Sequence, residues 1–144
     1  MTIFTRKPTV EALNTLSVNS MVDHLGIEFT AVGDDHIEAR MPVDHRTHQP
    51  LGLLHGGASV ALAETLGSVA ASCCIDSDTH FVVGLEINAN HLRSVKEGYV
   101  TGRATPIHIG KTTQVWEIRI VDQSGGALVC VSRITIAVLE KKRK

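Results

Sequence analysis

Residues 55–71 read His55-Gly56-Gly57-Ala58-Ser59-Val60-Ala61-Leu62-Ala63-Glu64-Thr65-Leu66-Gly67-Ser68-Val69-Ala70-Ala71. From Ala58 to Ala71 apolar side chains fall on nearly every side, with Glu64 the one charge, which is the pattern of a helix enclosed by protein. Before it, the polar stretch 44–54 is punctuated by Pro and Gly and reads as a loop leading into the helix. After it, a turn-rich patch at 76–79 precedes strand-like runs at 81–92, 99–109, 113–121 and 127–139. Trp116, Ile118 and Ile120 alternate with Glu117 and Arg119, so that strand has one buried and one wet face, and Gln123-Ser124-Gly125-Gly126 is a hairpin turn. Upstream, 27–32 and 37–43 flank Gly33-Asp34-Asp35 and read as an antiparallel hairpin. Val10, Leu13 and Leu16, spaced three apart, make 9–16 a short amphipathic helix. One long buried helix followed by an antiparallel meander predicts an α+β fold whose sheet wraps the helix on one side.

The chain has 144 residues, 43% of them hydrophobic, enough for one sizeable core and hence a single domain over 1–144. Fourteen Lys plus Arg against fifteen Asp plus Glu leave a formal charge of −1, so no global field attracts nucleic acid or an anionic membrane. No apolar run reaches the roughly 18 residues of a spanning helix, and Met1 to Pro8 lack the apolar stretch of a secretory signal, so the expectation is a cytoplasmic protein. Cys73, Cys74 and Cys130 are too few and too oddly spaced for a disulfide framework or a zinc ribbon, and read as reduced thiols. The basic run Lys141-Lys142-Arg143-Lys144 reads as a solvated, frayed end.

Glu64 is the most informative residue. Breaking a buried ion pair costs roughly 3 kcal/mol or more, so a carboxylate amid apolar neighbours is either paired structurally or faces a cleft and does chemistry. Ser68, four residues on, shares its helix face and is placed to hydrogen-bond Glu64 or a water between them, unless it bonds its own backbone. At the helix start, His55-Gly56-Gly57 lead into N–H groups without intrahelical partners at the positive end of the dipole, and glycine lets a ligand approach them. Such a terminus can hold a developing oxyanion, or can be a flexible turn. Gly56 and Glu64 stand eight helical steps apart. At about 1.5 Å each that is roughly 12 Å, whereas a base and an oxyanion donor must both come within about 3 Å of one reacting ester. If both serve one reaction, a two-fold dimer solves this by setting the partner's Glu64 opposite this chain's Gly56.

Several apparent motifs fail on context. Gly57-Ala58-Ser59-Val60-Ala61 is an imperfect nucleophile elbow with no strand before it, so Ser59 reads as a capping or first-turn serine. Gly110-Lys111-Thr112 ends like a phosphate-binding P-loop, but Thr105 stands where the first glycine belongs and a strand follows. That turn's amides, Lys111 and two hydroxyls can still hold a phosphate. His45, His48 and His55 lack helical His-x-x-x-His spacing or neighbouring thiolates, so no metal is expected.

The run from His48-Gln49-Pro50-Leu51-Gly52-Leu53-Leu54 through the helix to Ser68, extended by Gly84-Leu85-Glu86-Ile87-Asn88-Ala89-Asn90-His91-Leu92-Arg93, resembles the hotdog-fold acyl-CoA thioesterases. The likeness is to the branch that includes the bacterial 4-hydroxybenzoyl-CoA and 1,4-dihydroxy-2-naphthoyl-CoA thioesterases, and it spans nearly the whole chain. It implies a hotdog homodimer with an active site shared between subunits, assembling further into a tetramer, and hydrolysis without metal or redox cofactor. Glu64 matches the catalytic carboxylate, as nucleophile or as general base. Gly56 matches the glycine whose amide polarises the carbonyl, Gln49 and His55 match residues that orient the thioester, and Ser68 matches the hydroxyl that places the water. Coenzyme A contacts match Gly84, His91, Leu92, Arg93 and Ser94, and the turn His108, Gly110, Lys111, Thr112 and Thr113, with Arg93 and Lys111 as phosphate contacts. The stretch 73–80 departs most from the family pattern. The implied substrate is an aromatic acyl-CoA, foremost 1,4-dihydroxy-2-naphthoyl-CoA of menaquinone synthesis. The alternatives are proofreading of a misloaded aryl carrier protein, and a non-catalytic acyl-CoA binder.

Overall fold

The computed structural model describes residues 1–143. Its elements are helices α1 (Val10–Leu16), α2 (Met21–His24) and α3 (Gly56–Cys73) and strands β1 (Glu28–Val32), β2 (Ile37–Pro42), β3 (His80–His91), β4 (Tyr99–Ile109), β5 (Thr113–Asp122) and β6 (Leu128–Glu140). Local signals set the boundaries. The Thr9 hydroxyl accepts the Ala12 N–H to start α1, and the Gly33 N–H donates to the His36 carbonyl to close the β1–β2 hairpin. α3 begins two residues before the expected Ala58, because His55 caps it: its Nδ1 accepts the Gly57 N–H at 2.8 Å. α2 is an element the sequence reading lacks.

All six strands form one antiparallel sheet in the order β1-β2-β4-β5-β6-β3. The expected four-strand meander holds only for β4, β5 and β6. β3 does not neighbour β4, because β2 occupies β4's other side; β3 pairs with β6 instead and becomes a sheet edge.

Leu62, Ala63, Leu66 and Ala70 of α3 press on the fully buried Ile118, Ile120, Ile134 and Ile136 of β5 and β6. Burying each Leu or Ile contributes about 1.5–3 kcal/mol. The approach is close because a Cβ on Gly67 would lie 2.5 Å from Ile134 Cγ2, and one on Gly102 2.6 Å from Leu66 Cδ1. One polar chain crosses this core: the Trp116 indole N–H donates to Gln114 Oε1 (2.9 Å), and Gln114 Nε2 donates to the Ala71 carbonyl (3.4 Å). The expected enclosure of α3 is incomplete within one chain, since the sheet covers one face and Val60, Ala61, Glu64, Thr65 and Ser68 on the other stay half-buried.

The basic end does not fray at Lys141, whose N–H donates to the Thr79 carbonyl at 2.8 Å. Lys144 lies outside the described residues. Among the described residues no helix is long and apolar enough to cross a membrane.

Candidate active site

The two termini of α3 and its outer face each open onto a separate cavity. At the N-terminus a cavity of about 380 Å³ is lined by Gln49, Gly56, Ser59 and the segment His91-Leu92-Arg93-Ser94. The Gly57 N–H is taken by the His55 ring, and the Ala58 and Ser59 N–H groups by the His55 carbonyl at 2.9 and 3.3 Å. The Gly56 N–H, by contrast, donates to no group among the described residues. This leaves one open donor at the positive end of an 18-residue helix. A Cβ on Gly56 would lie 2.9 Å from His91 Nε2, so the imidazole roofs this position. Gln49 Oε1 accepts the Leu51 N–H, leaving its amide NH₂ without a protein partner among the described residues. The Leu92 and Arg93 N–H groups donate to the Val129 carbonyl (2.8 and 3.4 Å), which fixes the 91–94 segment against β6. His55, expected to orient the thioester, is exposed and serves here as the cap of α3.

Glu64 faces a different cavity, of about 370 Å³, whose walls are Met21, Val22, Leu25 and Ile27 on one side and Val60 and Ala61 on the other. Among the described residues of the single chain it makes no ion pair, and it lines this open cavity. Its carboxylate tip lies against β3, where a Cβ on Gly84 would stand 2.7 Å from Oε1. Gly84, expected to contact coenzyme A, therefore makes room for the carboxylate. The expected Ser68–Glu64 hydrogen bond is not among those joining the described residues. Ser68 is half-buried one turn further along α3, while Thr65 bonds back to the Ala61 carbonyl at 2.7 Å. The apolar wall from α2 was missed because one helical turn carries no periodicity; the signal available was Ser20 three residues before Asp23, the capping-box spacing.

The third cavity, of about 640 Å³, lies at the C-terminal end of α3 and is lined by Gly110, Lys111, Thr112, Cys74, His80 and Glu140, among others. His108 packs its ring against Gly110, and the Thr113 carbonyl accepts the Gly110 N–H at 2.9 Å. Burial pushes the Cys74 thiol up to about 12, with the neighbouring Cys73 adding to the shift, so near neutral pH it stays protonated and a poor nucleophile. Among the described residues no three His, Cys, Asp or Glu side chains gather as a metal ion requires.

The predicted site residues thus fall into three groups, with the amide donor and the carboxylate in separate open cavities of one chain. Residues 51–129 match the family model described as the thioesterase superfamily. The chain is 56% identical over 137 residues to the 1,4-dihydroxy-2-naphthoyl-CoA hydrolase of Escherichia coli, covering 95% of this chain and 99% of that protein. It is 55% identical over 137 residues to the proofreading thioesterase EntH of Cronobacter turicensis, covering 95% and 98%. The crystal structure of a thioesterase from Haemophilus influenzae superimposes with a TM-score of 0.92 at 56% identity, covering 96% of this chain and 95% of that one. The family match, the identity to these relatives and the superposition agree: the chain belongs to the thioesterase superfamily, has its hotdog fold, and is a thioester hydrolase.

Proposed function

We propose that the protein hydrolyses an aromatic acyl-CoA to the free acid and coenzyme A, with Glu64 as the reacting carboxylate and the Gly56 N–H as the oxyanion donor. The observation that carries this is Glu64 itself, half-buried and without an ion-pair partner among the described residues, at the edge of a largely apolar cavity. Two routes use the same atoms. As general base, Glu64 takes a proton from water while the hydroxyl adds to the thioester carbon; as nucleophile, it adds directly and forms a mixed anhydride that water then opens. In both, negative charge collects on the carbonyl oxygen, the C–S bond breaks, and the thiolate leaves and is protonated. Neither route needs a metal or redox cofactor. The cavity of about 370 Å³ beside Glu64, walled by Met21, Val22, Leu25 and Ile27, offers apolar surface on which an aryl group can be buried. Similarity to the E. coli enzyme makes 1,4-dihydroxy-2-naphthoyl-CoA of menaquinone synthesis the first substrate to test, and similarity to EntH makes an acylated aryl carrier protein the second.

The active site is shared across a homodimer in this reading. β3 is a sheet edge with exposed Phe81, Val83 and Leu85, a surface that invites strand pairing. It also carries both landmarks: Gly84 beside Glu64 and His91 over Gly56. These lie seven residues apart, about 23 Å of extended chain. Antiparallel pairing of two β3 strands, centred between Ile87 and Asn88, sets Gly84 of one subunit beside the partner's His91. Glu64 then faces the partner's Gly56. Further pairing of such dimers gives the homotetramer, and three free cysteines suit a cytoplasmic setting.

The test is Glu64→Gln, which removes the charge at nearly constant shape. Turnover on a panel of aryl and alkyl thioesters should fall about 100-fold or more while the melting curve is kept. Retained turnover would overturn the assignment, and a wild-type protein that splits no thioester but still binds acyl-CoA would make it a binder.

A further inference from the structure

The basic end of the chain closes a cleft that the chemistry above leaves unused. Beyond β6, Lys141 is pinned beside the start of β3: its N–H donates to the Thr79 carbonyl at 2.8 Å and its Nζ to the Ser77 carbonyl at 2.5 Å. That tether holds Lys142 and Arg143 along a cavity of about 870 Å³. Thr79, His80 and Glu140 line this cavity and also the one at the Gly110–Thr112 turn, so the two adjoin as a single cleft.

Its charge is unbalanced. Lys111, Lys142 and Arg143 border the cleft and enter no ion pair among the described residues. Of the carboxylates nearby, Asp78 is held by Arg6 at 3.5 Å, which leaves Asp76, bonded to the Asp78 N–H at 3.0 Å, and Glu140 against the three cations. The Lys111 and Thr112 N–H groups, at the tip of the β4–β5 turn, donate to no group among the described residues. Unpaired cations and open amides around a concavity make an anion site. Here they come in two sets, the turn and the tail, on either side of residues 79 and 80, an arrangement suited to two separate phosphate groups.

We propose that Lys142 and Arg143 form a specificity site for the 3′-phosphate monoester of coenzyme A, while the Lys111 turn receives its diphosphate. This rests on the acyl-CoA reading above and extends it to a distinction between the full coenzyme and shorter thioesters. The site acts on binding and lies away from the reacting carbonyl, so its mark is KM and not kcat. Because the cations are exposed, the effect weakens with salt.

The experiment compares wild type with the double variant Lys142→Ala/Arg143→Ala on one acyl group carried by coenzyme A, by 3′-dephospho-coenzyme A and by pantetheine. At low salt the variant should raise KM for the acyl-CoA by about 5- to 20-fold, the scale of two charge-assisted contacts, with kcat retained. KM for the other two thioesters should not move, and in 0.5 M salt the difference should shrink. Wild-type KM values that ignore the 3′-phosphate, or a variant equally impaired on pantetheine, would overturn the proposal. So would a loss confined to acyl-carrier protein, which would assign the tail to a protein partner. Calorimetric binding of adenosine 3′,5′-bisphosphate against adenosine 5′-monophosphate decides the question without turnover: the wild type should prefer the bisphosphate and the variant should not. If no thioester is hydrolysed, the functional reading fails while this binding result still stands or falls alone.

Discussion

A methyl group at position 84 would occupy the space that the Glu64 carboxylate fills, since a Cβ there lies 2.7 Å from Oε1. The obstacle is the end of a flexible side chain, so Gly84→Ala displaces the carboxylate and leaves the backbone undisturbed. Misplacing a reacting group by about 1 Å costs up to roughly 100-fold. Gly84→Ala is therefore expected to lower kcat by about 10- to 100-fold with Tm unchanged within a few degrees, read by steady-state kinetics beside a thermal melt; full activity would show that the carboxylate works elsewhere. Glu64 and Gly56 were legible in the sequence because each breaks the rule of its surroundings, a charge among apolar residues and a glycine pair at a helix start. The surroundings of His55 and His91 were not, because spacing along a helix or strand fixes a face but not a rotamer or a contact from a distant strand.

Trp116 and Gln114 stand two residues apart on the buried face of β5, where Gln114 accepts the indole N–H and reaches across to the last turn of α3. Replacing the amide by an apolar isostere strands the indole donor in the core, while the Ala71 carbonyl keeps the Cys74 N–H at 3.1 Å. Gln114→Met should cost about 1–3 kcal/mol, seen as a fall in Tm of a few degrees to roughly 10 °C; an unchanged melt would mean that water reaches the indole. The strands were legible for the reason this pair is buried: Trp116, Ile118 and Ile120 alternate with charged residues, a period-2 signal that survives without tertiary information. α2 left no such trace, having only four residues. The place of β3 was also hidden, since pairing with β6 depends on which side of β4 is already taken by β2, a fact about the sheet and not about any one strand.

At the scale of the whole molecule, the open amide and the unpaired carboxylate border separate cavities of one chain, and the exposed edge of β3 runs past both. A complementation experiment follows. Gly56→Ala sets a Cβ 2.9 Å from the His91 ring and spoils one half-site, and Glu64→Gln spoils the other. Each variant alone should be nearly inactive, whereas unfolding and refolding the two together should yield heterodimers with about one working site apiece. A mixture no more active than its parents would confine catalysis to single chains. The unfinished border of the sheet also sets a dilution test: with the site shared as proposed, specific activity falls once the polypeptide is dilute enough for paired copies to part.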